Sequence, residues 1–315
     1  MDSSSTSSPV PPVTIVGAGI AGAACAVALR AAGVGVRVID RGRAVGGRMA
    51  SPVLHGRRVD IGAGYFTVRD PGFETVVGGW EAAGLAHRWT NTFGILAAGE
   101  APTSKSGPDR WSTPGGLRSL VRTMLEGVQV DGDTDVDRAG LAQLAGTVVL
   151  AMPDPQAGRL APVPSPVDYD SVITVVCGFA DRGWPFADAA FVKEHPDVEF
   201  VADDGARRGD DAAVLVAHST AGLAARCLDD PQRAVAPVVA GLRDLLGVGA
   251  PDWTHAHRWT FAKPTGGHDA TRGFSETDGR EIWFAGDQWC PEGSPRVESA
   301  WRSGTDVAAA ILDRR

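Results

Sequence analysis

The chain has 315 residues, roughly two domains at about 150 residues each, and 43% of them are hydrophobic, enough for a buried core, so disorder throughout is excluded. Thirty basic against 38 acidic residues leave a formal charge of −8, the wrong sign for a protein that neutralises phosphates along a nucleic acid. No apolar run approaches the roughly 20 residues that span a bilayer, and the opening Met1-Asp2-Ser3-Ser4-Ser5-Thr6 has neither the basic nor the apolar region of an export signal; the expectation is a cytoplasmic protein with no nucleic-acid or membrane partner.

Residues 1–11, rich in Ser and Pro, read as a disordered tail. Val13-Thr14-Ile15-Val16 is a short β-branched strand, followed by Gly17-Ala18-Gly19-Ile20-Ala21-Gly22 and an Ala-rich helix to Ala32. Gly33 stops that helix, and Val34 to Asp40 alternates as a second strand ending in an acid. This is the dinucleotide-binding pattern G-x-G-x-x-G. Gly17 permits the tight turn, Gly19 lets backbone amides approach a pyrophosphate at the positive helix end, and Gly22 lets helix and strand pack closely. Ala18, Ile20 and Ala21 share the turn and are expected against the nucleotide, and Asp40 stands where it accepts ribose hydroxyls. Such a unit holds the ADP part of FAD or of NAD alike.

Arg58 to Tyr65 reads as a strand running into Gly62-Ala63-Gly64, small residues that admit a planar ring close to the backbone. Trp111 to Gly116 opens a helix to about Leu125, Val128 to Val136 is strand material turning at Asp131 to Asp135, and Thr147 to Met152 is a buried strand stopped by Pro153. The proline-rich stretch 154–168 marks a domain crossing. Ser171 to Ala180, Glu199 to Ala202 and Ala213 to His218 are strand-like, and the last two are expected to be antiparallel because no helix separates them; residues 231–246 form an amphipathic helix. Ile282-Trp283-Phe284-Ala285 is a buried strand running into Gly286-Asp287, and the final helix is expected to start with Ser294 as N-cap and Pro295 as its first residue. A carboxylate at that turn lies near sugar hydroxyls, and the helix dipole stabilises negative charge on a reduced ring. The nucleotide domain is therefore expected to be discontinuous, comprising residues 12–64, 108–155 and 272–315, with a substrate domain from 65–107 and 156–271. Cys25, Cys177, Cys227 and Cys290 form no Cys-x-x-Cys, so neither a disulfide framework nor a metal site is expected.

With these residues in view, the chain resembles the flavin-dependent amine oxidoreductase superfamily and, within it, the renalase-like branch. The resemblance is carried by VTIVGAGIAGAACAVALRAAGVGVRVIDRGRAVGGRMA, DIGAGYFT, TPGGLRSL, VVLAMPDPQA, HRWTFAKP and WFAGDQWCPEGSPRVESAWRSG. It implies an α/β fold: a Rossmann-type FAD-binding domain of the glutathione reductase and p-hydroxybenzoate hydroxylase kind, joined to a mainly antiparallel sheet with helices for the substrate. It also implies FAD held by the three motif glycines and their turn, by Asp40 and Arg41, and by Gly46-Gly47 with Arg48 and Met49. Gly62, Ala63, Val136 at the adenine, Met152, Gly286, Asp287, Arg296 and Val297 complete the implied cofactor set. The flavin is expected to be noncovalent, since no cysteine lies between Leu228 and Gln288, where a covalent anchor would stand.

The catalytic candidates under this resemblance are Tyr65 and Trp259 near the ring face, His218 at a strand end, and Lys263 as the holder of a water near the reacting ring position. Ala206-Arg207-Arg208-Gly209 and the segment from His218 to Gly222 depart from the branch's Lys-Pro-Gly-Arg and His-Ala-x-x-x-Trp-Ser, which puts the substrate pocket in question. The implied chemistry is hydride removal from a carbon beside nitrogen, with O2 restoring the flavin and yielding H2O2. Renalase-like oxidation of dihydronicotinamide (NAD(P)H) isomers leads the readings; an oxidase or desaturase of small amines or secondary metabolites is the alternative. A single-component aromatic hydroxylase and a non-catalytic flavin-binding protein are further ones.

Overall fold

A computed structural model of the chain describes residues 12–277 and 279–315; the expected tail at 1–11 lies outside the described residues. The chain opens with β1 (Val13–Val16), α1 (Ile20–Ala31) and β2 (Val36–Ile39), then the short strands β3 (Val53–Leu54), β4 (Arg57–Arg58) and β5 (Phe66–Thr67), then α2 (Pro71–Ala82). A long hairpin of β6 (His87–Leu96) and β7 (Thr103–Ser112) leads to α3 (Arg118–Met124), β8 (Gln129–Asp131), α4 (Arg138–Gln143), β9 (Val148–Leu150) and α5 (Asp154–Ala157). The middle gives β10 (Tyr169–Gly178), β11 (Ala189–Val192), β12 (Val198–Asp203), α6 (Asp204–Arg208), β13 (Val214–Ser219), α7 (Ala221–Arg226) and α8 (Val235–Leu246). The chain closes with β14 (Trp253–Pro264), β15 (Gly273–Thr277), β16 (Arg280–Phe284) and α9 (Val297–Asp313).

The first sheet has the order β15-β16-β9-β1-β2-β8, parallel from β16 to β8. Its central strands are apolar along their length because helices cover both faces. Val148 of β9 stands opposite Thr14 on one side and Ile282 on the other, so the two ends of the chain meet in one sheet. α9 lies on α1 so closely that a Cβ at Gly304 would fall 2.0 Å from the Ala21 carbonyl oxygen. α2, capped by Asp70 Oδ1 accepting from Gly72 N and Phe73 N at 2.8 and 3.0 Å, buries Phe73, Val77 and Trp80 in the same core. β6 and β7, which follow α2, join the second sheet, and β7 runs across residue 108. Among the described residues no helix is long and apolar enough to cross a membrane, and no group of three or more candidate metal ligands is present.

The second sheet, β14-β10-β13-β12-β11-β6-β7-β5, is antiparallel except where β11 meets β6. Side chains alternate across it. Ile173, Val175 and Leu215 pack under α7 and α8, while Val176 and Val216 face Ala50, Val59 and Ile61 of the first unit. Three expectations are corrected. Of the strand anticipated from Arg58 to Tyr65 only Arg58 is in a strand, β4, because the Ile61 carbonyl accepts from Thr174 and Trp259 of the second sheet and the Gly64 carbonyl from Arg207 of α6 instead of joining a ladder. The short helix α6 does separate β12 from β13; it is a single turn ended by Gly209 at φ 73°, so the strands still return antiparallel, Asp203 opposite Leu215. The last helix starts at Val297, not at Ser294 or Pro295, because Arg296 N donates to Ser299 Oγ at 2.8 Å and makes Arg296 the N-cap.

Candidate active site

A cavity of about 1090 Å³ runs from the N-terminus of α1 to the wall formed by β10, β13 and β14, slightly above the usual range for ligand pockets. At the α1 end, Gly17 has φ 116° and a Cβ there would lie 2.3 Å from Ala151 O, so only glycine allows β1 to turn against the end of β9. A Cβ at Gly22 would fall 2.0 Å from Gly17 O. Gly22 and Ala18 thus do not line the cavity as expected; they shape it from behind, Gly22 by close packing and Ala18 by donating its N–H to Asp40 Oδ2 at 2.6 Å. The other Asp40 oxygen accepts from Gly42 N at 2.6 Å, leaving free lone pairs on a carboxylate at the wall. Gly19, the N-cap of α1, offers no capping side chain, the first turn holds no acid, and a Cβ at Gly19 would meet nothing within 4 Å. Gly46 N donates to Ala18 O at 2.9 Å and brings Gly47 beside Gly19. This is an open, positive helix end framed by two glycine turns, and it fits an anionic diphosphate.

The remaining expected cofactor residues surround the same space: Ile20, Ala21, Arg41, Arg48, Met49, Gly62, Ala63, Val136, Met152, Gly286, Asp287, Arg296 and Val297 all line it. Arg48 and Asp287, 239 residues apart, form a bidentate pair at 2.6 and 2.9 Å, and Arg48 Nη1 also donates to Ala262 O at 3.0 Å. Burial opposes the guanidinium charge, but Asp287 beside it more than compensates and holds the Arg48 pKa above its ordinary value. Tyr169, which no sequence signal marked, lies with its ring 5.8 Å from that guanidinium; burial and then the Asp287 charge push its phenol up. Gln156, also on the cavity wall, has its side-chain amide beside the Arg41 guanidinium, whose Nη1 and Nη2 its oxygen accepts from once the amide is turned to face them.

At the far wall the register sets His218 and His257 on either side of Thr174, and His257, Trp259, Phe261 and Lys263 follow along β14. His218 is pushed down to about 3, by burial first and then by the Lys263 and Arg207 charges, and burial also lowers His257. Lys263 pairs with Glu199, so its ammonium is already engaged. Trp259 Nε1 donates to Ile61 O at 2.8 Å. Tyr65 departs from expectation: it does not line the cavity but packs edge-on to Phe93 at 5.2 Å and against Phe200, because Gly64 ends the loop and the chain turns into β5. The lining carboxylates Asp40, Asp135, Asp137 and Asp287 all stand on loops of the first sheet; β10, β13 and β14 contribute none.

Residues 105–312 match the family of flavin containing amine oxidoreductases, and residues 15–77 match an NAD(P)-binding Rossmann-like domain. The chain belongs to the flavin-containing amine oxidoreductase family. It is an FAD-dependent oxidoreductase, and the cradle between α1 and Asp287 is where the cofactor fits. Among solved structures, cyclohexylamine oxidase from Brevibacterium oxydans IH-35A is similar with a TM-score of 0.76 at 16% identity, over 97% of this chain and 99% of that one. An A394C mutant of putrescine oxidase is similar with a TM-score of 0.73 at 18% identity, over 98% of this chain and 100% of that one. At these identities the likeness shows the shared fold.

Proposed function

We propose that the protein removes a hydride from a carbon beside nitrogen in a flat, neutral or anionic heterocycle. Dihydronicotinamide (NAD(P)H) isomers are the leading substrate, in the manner of the renalase-like branch, with O2 as final acceptor giving H2O2. The observation that carries this reading is the sign of the far wall: two histidines with lowered pKa, Trp259, Phe261 and Lys263, with every lining carboxylate on the opposite side. Glu199 already neutralises Lys263 and the two histidines are held neutral, so this wall offers an ammonium no unpaired carboxylate, whereas a dihydropyridine ring packs on its aromatic edges. Bound FAD supplies the two-electron acceptor. Trp259, Phe261 and the two histidines orient the substrate and exclude water, and no base is asked of them, because the ring nitrogen's lone pair drives hydride departure.

A neutral amine is the second reading, favoured by the lack of any carboxylate from β10, β13 or β14 on the cavity wall, which leaves an ammonium form without a partner and favours the free base that can lose hydride. Anaerobic mixing of the FAD-loaded protein with dihydronicotinamide isomers and, separately, with small amines separates the two. Rapid bleaching of the flavin by the dihydronicotinamides and slow bleaching by the amines is expected. The reverse order overturns the first reading.

A further inference from the structure

The loop of residues 60–64 places Gly62 and Ala63 on the cavity wall while its carbonyls are held from the second sheet. Thr174 Oγ1, on β10 and fully buried, donates to Ile61 O at 2.6 Å, and Trp259 Nε1 donates to the same oxygen at 2.8 Å. Arg207 Nη1 donates to Gly64 O at 2.9 Å. Ile61 N donates to Ala50 O at 3.1 Å and Ala63 N to Arg48 O at 2.8 Å; among the described residues Gly62 N has no acceptor. A side chain at Gly62 has no room, since its Cβ would lie 1.9 Å from Arg48 O.

In a trans peptide the C=O and N–H point in opposite directions. The Ile61–Gly62 peptide is trans, so two donors gripping the Ile61 carbonyl aim the Gly62 N–H away from Thr174. They also polarise it, because a carbonyl that accepts hydrogen bonds strengthens the donor on the same peptide. We propose that the Gly62 amide is a preorganised hydrogen-bond donor to an acceptor atom of the flavin ring, and that Thr174 is the positioning residue that aims it. Thr174 does not line the cavity and acts through Ile61. A fixed dipole of this kind favours the ring state that carries more negative charge. The inference concerns the cofactor and holds whichever substrate is oxidised.

The test uses Thr174→Val, which keeps the shape and removes the hydroxyl, and Thr174→Ser, which restores a donor. The readouts are FAD dissociation constant, visible spectrum of the bound flavin, and thermal midpoint of the FAD-loaded protein. Thr174→Val is expected to weaken FAD binding about fivefold and to shift the visible band, with Thr174→Ser within about twofold of the parent. A fall in midpoint with spectrum and affinity unchanged assigns Thr174 a packing role only and overturns the proposal. Should Thr174→Val not fold, Trp259→Phe removes the other donor to the same carbonyl. It is expected to shift the band in the same direction, and an unshifted band with unchanged affinity is equally fatal.

Discussion

Replacing Arg48 by Met tests whether the two ends of the chain are joined through one guanidinium. The Arg48–Asp287 pair is bidentate, and the side chains are 29% and 12% exposed. Breaking a fully buried pair by removing one partner costs about 3–5 kcal/mol. Partial exposure reduces this to about 2–3 kcal/mol, with the lost donor to Ala262 O contributing about 1 of it. Urea unfolding of the FAD-stripped protein should report that loss for Arg48→Met and a similar one for Asp287→Asn. The double variant should be less destabilised than the sum by about 1.5 kcal/mol, since the second change removes a partner already orphaned. FAD affinity should fall about 10- to 100-fold in Arg48→Met, the equivalent of one charge-assisted hydrogen bond. Strict additivity of the two single changes, or an Arg48→Met protein that titrates with FAD as the parent does, refutes the reasoning.

Gly304→Ala forces a methyl to within 2.0 Å of the Ala21 carbonyl and should destabilise the protein by about 2–3 kcal/mol, read as a lowered urea midpoint; an unchanged midpoint shows that α9 does not press on α1 as described. His218 is held neutral in the folded state but is protonated in the unfolded chain below its ordinary 6.5, so it costs nothing above that pH, its penalty grows as pH falls from about 6.5 to about 3, and it stays at full size below. Stability should therefore be lost as pH falls through that window, by roughly 2–4 kcal/mol, and His218→Gln should flatten this slope; a parallel profile in the variant removes His218 as the cause. Among the described residues no cysteine lines the cavity, so acid precipitation should release all yellow colour to the supernatant, and a yellow pellet would establish covalent attachment.

The first unit was legible because its constraints are local. Gly22 answers to the Gly17 carbonyl within the same turn, and Asp40 closes that turn through Ala18 and Gly42, so their spacing survives in a bare sequence, even though the contact that requires Gly17 comes from Ala151. Cap chemistry was less decisive. Ser294 and Pro295 have the right residue types for a helix start, yet Arg296 takes the position because its amide finds the Ser299 hydroxyl, a choice between neighbours that propensity does not rank.

The far wall obeys a different rule. His218, Thr174 and His257 come together only through the register of three strands, β13, β10 and β14, whose pairing sets Thr174 against residues 44 and 83 positions further along. A shift of one residue in either pairing would exchange Thr174 for Ile173 or Val175, both buried on the opposite face under α7 and α8, and the Ile61 carbonyl would lose the Thr174 hydroxyl, one of its two donors. Sequence marked Trp259 as an aromatic against the ring, and it does reach the wall, but what fixes its place is an indole N–H spent on Ile61. The placing of His218, Thr174 and His257 on this wall therefore rests on strand register rather than on any motif. That is why the cofactor could be read from the chain alone and the sign of the substrate wall could not.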